Sequence, residues 1–183
     1  MWPSSHIHIP LCVTFFLLLL QIWRELFSPL HALNFGIGGD ATQHVLWRLQ
    51  NGELDHINPK VVVVWVGTNN HGHTAEQVAE CQGAILVSKI YFIALGSFAS
   101  REEPKSLREK NTRVNEFVQQ ALPTLPWANF LNLDDGFVHS DGTISHNDMY
   151  DYLHLTRAAY ARVCRPLYDK VKRLLEEQDR MVS

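Results

Sequence analysis

Three short stretches carry residues that could do chemistry. In Asp151-Tyr152-Leu153-His154 a carboxylate stands three residues before an imidazole. At that spacing the Asp can accept the ring's Nδ1–H, fix the tautomer and stabilise the imidazolium, with Nε2 as a general base. The plainer alternative is a surface Asp–His pair. In Gly67-Thr68-Asn69-Asn70 a side-chain amide could donate to a developing oxyanion, although an Asn-rich turn capping its own backbone fits as well. In Gly36-Ile37-Gly38-Gly39-Asp40 the glycines let backbone N–H groups approach a ligand, or simply make a tight strand-to-helix turn. A dinucleotide site would need a fuller glycine pattern, and no acidic residue follows a second strand suitably. An oxyanion site, a base and an orienter for that base are the parts of an acyl-transfer centre.

The elements between these stretches decide whether they can meet. Val61 to Val66 (VVVVWV) holds four β-branched residues in a row without alternation, which signifies a strand covered on both faces, as in a parallel sheet. His31 to Ile37, Lys89 to Leu95 and Asn129 to Leu133 read as further strands. Asp40 with Gln43, and Thr74 with Gln77, have the spacing of capping boxes that open helices, and Asn51-Gly52 should stop the first of these. Leu107 to Leu122 and Thr156 to Glu177 repeat apolar residues at helical spacing. The last helix has Tyr160, Val163, Leu167, Val171 and Leu174 on one side, and Pro166 should bend or break it. Strand–helix alternation predicts an α/β fold with a parallel sheet between two helical layers. Ligands of such sheets sit beyond the carboxyl ends of the strands, where all three stretches fall.

The whole chain has 183 residues, 46% hydrophobic and 19% charged, enough for one domain with a real core. Sixteen Lys and Arg against 19 Asp and Glu leave a net charge of -3, which argues against nucleic acid as a partner. Three scattered cysteines, Cys12, Cys81 and Cys164, do not suggest a disulfide scaffold and fit a reducing compartment. Ten histidines include His6/His8 and His71/His73, yet no Cys or carboxylate completes a four-ligand set, so no metal is expected. Residues 1–21 differ from the rest. Ile9 to Leu20 is nearly all apolar but short of the roughly 20 residues of a membrane span. No Lys or Arg precedes it and no small-residue cleavage site follows, which weakens a signal-peptide reading against a buried strand or helix, or a variant exon.

Glycine after the second strand, G-x-N after the third, and D-x-x-H before the last helix resemble the SGNH (GDSL-like) hydrolases. Longer stretches, Ile22 to Asp40, Val61 to Val78 and Gly136 to Leu155, resemble the catalytic α subunits of the type IB platelet-activating factor acetylhydrolases. The wording NNHGHTAEQ is more like their alpha-1 type. The resemblance implies a flavodoxin-like three-layer sandwich over residues 22–178, and Asp151 and His154 as orienter and base. It makes Gly39 and Asn69 oxyanion-hole donors, and Thr68 and Leu153 walls of a pocket sized for acetyl. It also implies hydrolysis of the sn-2 acetyl ester of a phospholipid through an acyl-serine, with no cofactor, in the cytoplasm. The implied partners are a second catalytic α subunit and a WD-repeat regulatory subunit.

The chain departs from that family in two places. The family's nucleophile is the Ser of a Gly-Asp-Ser block at the end of strand one, and no such block occurs in this sequence. Counting back from Ile22, the three positions hold Pro10-Leu11-Cys12. A thiol can serve in acyl transfer, but an apolar setting should raise its pKa and leave it inert. The expectation is therefore little or no esterase activity, with a dimerising, WD-repeat-binding isoform as the alternative role. In the sheet, His6 to Cys12 should take the vacant strand slot, broken at Pro10, with Val13 to Gln21 as the following helix. Gly83 to Gly96 lacks the family's polar connector, so its helix must stop near Val87-Ser88.

Overall fold

The valine run lies at the centre of the molecule. In the computed structural model, which describes residues 6–9, 21–86, 91–95, 105–133, 136–151 and 153–182, strand β3 spans Pro59–Val64. Val61 and Val63 face one hydrophobic core and Val62 and Val64 the other, all four at most 4% exposed. Each fully buried Val contributes roughly 1.5–3 kcal/mol relative to exposure, which accounts for the absence of polar alternation.

Around β3 lie β1 (His6–Ile9), β2 (Ala32–Asn34), β4 (Tyr91–Leu95) and β5 (Ala128–Leu131). The sheet order is β2-β1-β3-β4-β5 and every pairing is parallel. His6–Ile9 therefore fills the slot expected for it, pairing Ile7 with Ala32 on one side and Val61 on the other, with an irregularity at His6/Ile7. Cys12, Pro10 and the proposed helix from Val13 lie outside the described residues, apart from its end at Gln21.

One helical layer holds α1 (Thr42–Gln50), α2 (Ala75–Leu86) and α3 (Lys105–Ala121). Val45, Val78, Ile85, Val114 and Val118 from these helices close over Val62 and Val64. The opposite layer is α4 (Arg157–Val182) with a π-helical turn at Trp23–Phe27. The expected stripe of Tyr160, Val163, Leu167, Val171 and Leu174 is buried there with Phe27 and Phe137. The far end of α4 is tied to the start of β3, where Gln178 Nε2 donates to the Lys60 carbonyl at 3.0 Å.

Three local expectations need correction. β2 stops at Asn34 rather than Ile37, because the Asn34 side chain accepts the Gly36 N–H at 2.8 Å and turns the chain out of the sheet. Asp40 does not cap α1 with Gln43. Its carboxylate is taken by Arg48, while Asn70 Oδ1 accepts the Thr42 N–H at 3.0 Å and His44 Nδ1 accepts the Ala41 N–H at 3.1 Å. Pro166 does not end α4, which runs on as one helix. It lies on the exposed side, where water can satisfy the carbonyl its missing N–H abandons. α2 runs to Leu86, in keeping with the stop expected near Val87-Ser88, residues that lie outside the described ones, and the Trp127 indole N–H donates to the Leu86 carbonyl at 2.8 Å. The Thr74/Gln77 capping box forms as expected, at 3.0 and 3.3 Å.

Candidate active site

Two loops leave the carboxyl ends of neighbouring parts of the sheet, and hydrogen bonds lash them together. After β2 the chain turns at Ile37 to Asp40, closed by an Asp40 N–H to Ile37 carbonyl bond of 3.2 Å. Gly39 sits in this turn at φ +87, and a Cβ there would meet nothing within 4 Å. After β3, Gly67 adopts φ +128, and a Cβ there would press on Gln82 Nε2 at 3.2 Å, so the turn requires glycine. Gln82, buried on α2, donates to the Val66 carbonyl at 2.8 Å and steadies that turn from behind.

Asn69 Nδ2 donates to the Asp40 backbone carbonyl at 2.9 Å, which sets the plane of its amide beside the Gly39 turn. The residue after it does more. Asn70 is 1% exposed; besides accepting from Thr42 N–H, it donates to Thr42 Oγ1 at 3.0 Å and Gln43 Oε1 at 3.1 Å. It is the N-terminal cap of α1 supplied from 28 residues away. Lys110 on α3 donates to the Asn70 carbonyl at 2.7 Å and the His73 carbonyl at 3.3 Å, and partial burial holds its pKa below the ordinary lysine value. Sequence reasoning missed Asn70 and Lys110. The tandem asparagine was the only signal, and their partners are far away in the chain.

Asp151 and His154 meet as the spacing predicts. His154 Nδ1 lies 2.6 Å from Asp151 Oδ2. Asp151 Oδ1 accepts the His154 N–H at 2.7 Å and the Leu153 N–H at 3.0 Å, so one oxygen shapes the turn and the other holds the ring. Burial pushes the Asp151 carboxyl up, but these hydrogen bonds from His154 and Leu153 outweigh it and leave its pKa below the usual value. An ionised Asp151 can only accept, which places the ring proton on Nδ1 and the basic lone pair on Nε2. The Tyr150 ring stacks on the imidazole, centroids 6.0 Å apart and 18° from parallel. Met149 and Leu155, both buried and bridged to each other, anchor the loop. Thr156 closes it with bonds to Asp148 O at 2.8 Å and Asn147 O at 2.6 Å. Thr68 and Leu153 are half-buried, one in the loop after β3 and one in the Asp151–His154 turn.

A family model for the GDSL-like lipases and acylhydrolases matches residues 18–162. The chain belongs to that family. It is 63% identical over 163 residues to platelet-activating factor acetylhydrolase IB subunit alpha1 of Homo sapiens, covering 86% of this chain and 71% of the relative. Against subunit alpha2 of Gallus gallus the identity is 57% over the same shares. Among solved structures, the esterase EstA of Pseudoalteromonas aligns with TM-score 0.67 at 14% identity, covering 94% of this chain and 99% of that one. A GDSL-like lipase of Bacteroides thetaiotaomicron aligns at 0.68 and 14%, covering 92% and 89%. The α/β sandwich and the ester-hydrolase class follow, as the motifs implied. No described helix is long and apolar enough to cross a membrane.

Proposed function

We propose that this chain is built to grip a small acyl ester, the sn-2 acetyl group of an ether phospholipid of the platelet-activating-factor type. His154 serves as the base and Asp151 as its orienter. The Gly39 N–H and the Asn69 amide serve as oxyanion donors, and Thr68 and Leu153 as walls that admit acetyl and little more. The observation that carries this reading is the 2.6 Å contact of His154 Nδ1 with Asp151, in a chain 63% identical to an acetylhydrolase subunit. Asp151 holds the imidazole so that Nε2 can take a proton from the attacking group and return it to the departing alcohol. The oxyanion donors stabilise the charge that develops on the carbonyl oxygen between those two transfers.

A second reading is favoured by one observation, the Pro10-Leu11-Cys12 sequence where the family has Gly-Asp-Ser. On that reading residues 22–178 form the hydrolase domain without its nucleophile, and the chain pairs with a catalytic α subunit and a WD-repeat subunit in the cytoplasm. Acetyl-ester turnover by the purified chain, beside Cys12→Ser and His154→Ala variants, separates the two. Turnover abolished in His154→Ala supports the hydrolase. Absence of turnover that Cys12→Ser restores supports a site complete but for its nucleophile. Absence in all three, with co-purification of an intact α subunit, supports the binding role.

A further inference from the structure

Arg48, in the last turn of α1, reaches back to the turn that carries Gly39. Its Nη1 donates to the Phe35 carbonyl at 3.1 Å and also to Glu53 Oε1, and its Nη2 donates to Asp40 Oδ2 at 2.5 Å. One guanidinium therefore holds the chain just before Gly36 and just after Gly39. The residues between are exposed at Ile37, Gly38 and Gly39, and Ile37 is 52% exposed. Meanwhile the Arg48 and Asp40 side chains are only 16% and 10% exposed. The rigid part of this loop is its base, and Arg48 is the side chain that joins both ends of it.

The same guanidinium reaches the second loop through one intermediary. Asp40 receives Arg48 on its carboxylate and Asn69 Nδ2 on its backbone carbonyl. A contact that fixes Asp40 therefore also bears on the plane of the Asn69 amide. We propose that Arg48 is the positioning residue for both oxyanion donors, clamping the Gly39 turn directly and the Asn69 amide through Asp40. This rests on the reading of Gly39 and Asn69 as oxyanion donors. A planar fork is required because the acceptors lie in different directions: a carbonyl before the turn and a carboxylate after it. A lysine, with its charge at one point, cannot span them in the same geometry.

The test uses the full chain as wild type, Arg48→Lys and Arg48→Ala, with readouts that do not depend on turnover. Backbone amide exchange at residues 36–40 and the side-chain amide resonance of Asn69 are followed by NMR. Exchange in β3 and α2 reports whether the fold is intact. In Arg48→Ala, exchange at 36–40 should rise at least tenfold and the Asn69 resonance should shift, while β3 stays protected. Millimolar guanidinium chloride, against sodium chloride, should partly restore both, since the free ion can refill the vacated site. Arg48→Lys should fall between the two. Where acetyl-ester turnover is measurable, the loss should appear in kcat with KM little changed, as for a contact made to the transition state. An Arg48→Lys protein indistinguishable from wild type at residues 36–40 would overturn the clamp, as would an unmoved Asn69 resonance in Arg48→Ala. A chain with no turnover but with these shifts keeps the clamp and loses the catalytic reading.

Discussion

The two regions that hold the candidate site residues are built on opposite plans. The Asp151–His154 turn is local: Asp151 holds the His154 ring and the N–H groups of residues 153 and 154, all within three positions. The pair of loops that carries Gly39 and Asn69 is assembled from a distance. Asn69 bonds Asp40, Asn70 bonds Thr42 and Gln43, and Lys110 bonds Asn70, at separations of 27 to 40 residues. A local turn forms whenever its own few residues adopt the right dihedrals, and it places an exposed, titratable side chain at low cost in packing. A cross-braced pair of loops exists only once the sheet has brought them together, so its side chains support the fold as well as the chemistry. Damage to the first region should fall on function, and damage to the second on stability.

The largest effect should come from the Asp151–His154 turn and leave stability almost untouched. Asp151→Asn keeps an oxygen for the two backbone N–H groups but cannot hold the same imidazole tautomer. Where the chain or its Cys12→Ser variant turns over an acetyl ester, kcat should fall by roughly 10⁴-fold. Its unfolding free energy by urea denaturation should stay within about 0.5 kcal/mol of wild type, as for a surface change. A loss of activity accompanied by unfolding would erase the contrast between the regions.

Asn70→Ala is the counterpart. It strips the cap from α1 and leaves the Thr42 N–H and Oγ1 buried without their partner. Cap loss costs about 1 kcal/mol and a buried unsatisfied group about 1–3 more, so a loss of roughly 2–4 kcal/mol by urea denaturation is expected. Asn70→Asp, which keeps the acceptor for Thr42 N–H, should recover part of it.

This division also explains what could be read from the amino-acid order. The Val61–Val64 strand was legible because burial on both faces writes itself as an unbroken apolar run. Thr74/Gln77 and Asp151/His154 were legible because both partners lie within one turn of each other. The stripe on α4 was legible because helical periodicity needs no knowledge of the partner surface. Asp40 was misread for the complementary reason. Its spacing from Gln43 fits a capping box, and only the folded chain shows that Arg48 competes for its carboxylate and that Asn70 supplies the cap. Tyr150 escaped notice because ring stacking on His154 has no signature in spacing. The parallel slot of His6–Ile9 was reached by asking what would satisfy β2 and β3, a question about backbone hydrogen bonds rather than side-chain pattern.

Lys110→Met should have a middling effect. It removes donors from two loop carbonyls but also removes a partly desolvated charge, whose lowered pKa records that the site disfavours it. The two effects oppose, and a net loss of about 1 kcal/mol is expected, with faster amide exchange around Asn70 as the local readout. A stabilised variant would show that the charge, and not the hydrogen bonding, dominates there.

The smallest effect is a difference of sign with pH. Asp151 has a folded pKa below its ordinary 3.8, so the folded state binds its proton less readily than the unfolded chain. Its contribution is present above pH 3.8 and lost as pH falls below that value. Beside Arg48, burial pushes the Glu53 carboxyl above its ordinary 4.5, and the nearby Arg48 charge does not fully offset this. Glu53 Oε2 is buried with no hydrogen-bond partner, which is what makes the ionised form costly there. For Glu53 the folded state holds the proton more tightly, so its contribution is complete below pH 4.5 and declines as pH rises through the folded pKa. The stability difference between wild type and Glu53→Gln should therefore drift against wild type as pH rises from 4.5. That between wild type and Asp151→Asn should stay flat over the same range and fall only below 3.8. Parallel drifts in the two pairs would mean that the Asp151 turn is as buried as the clamp, and that the two regions are not built differently after all.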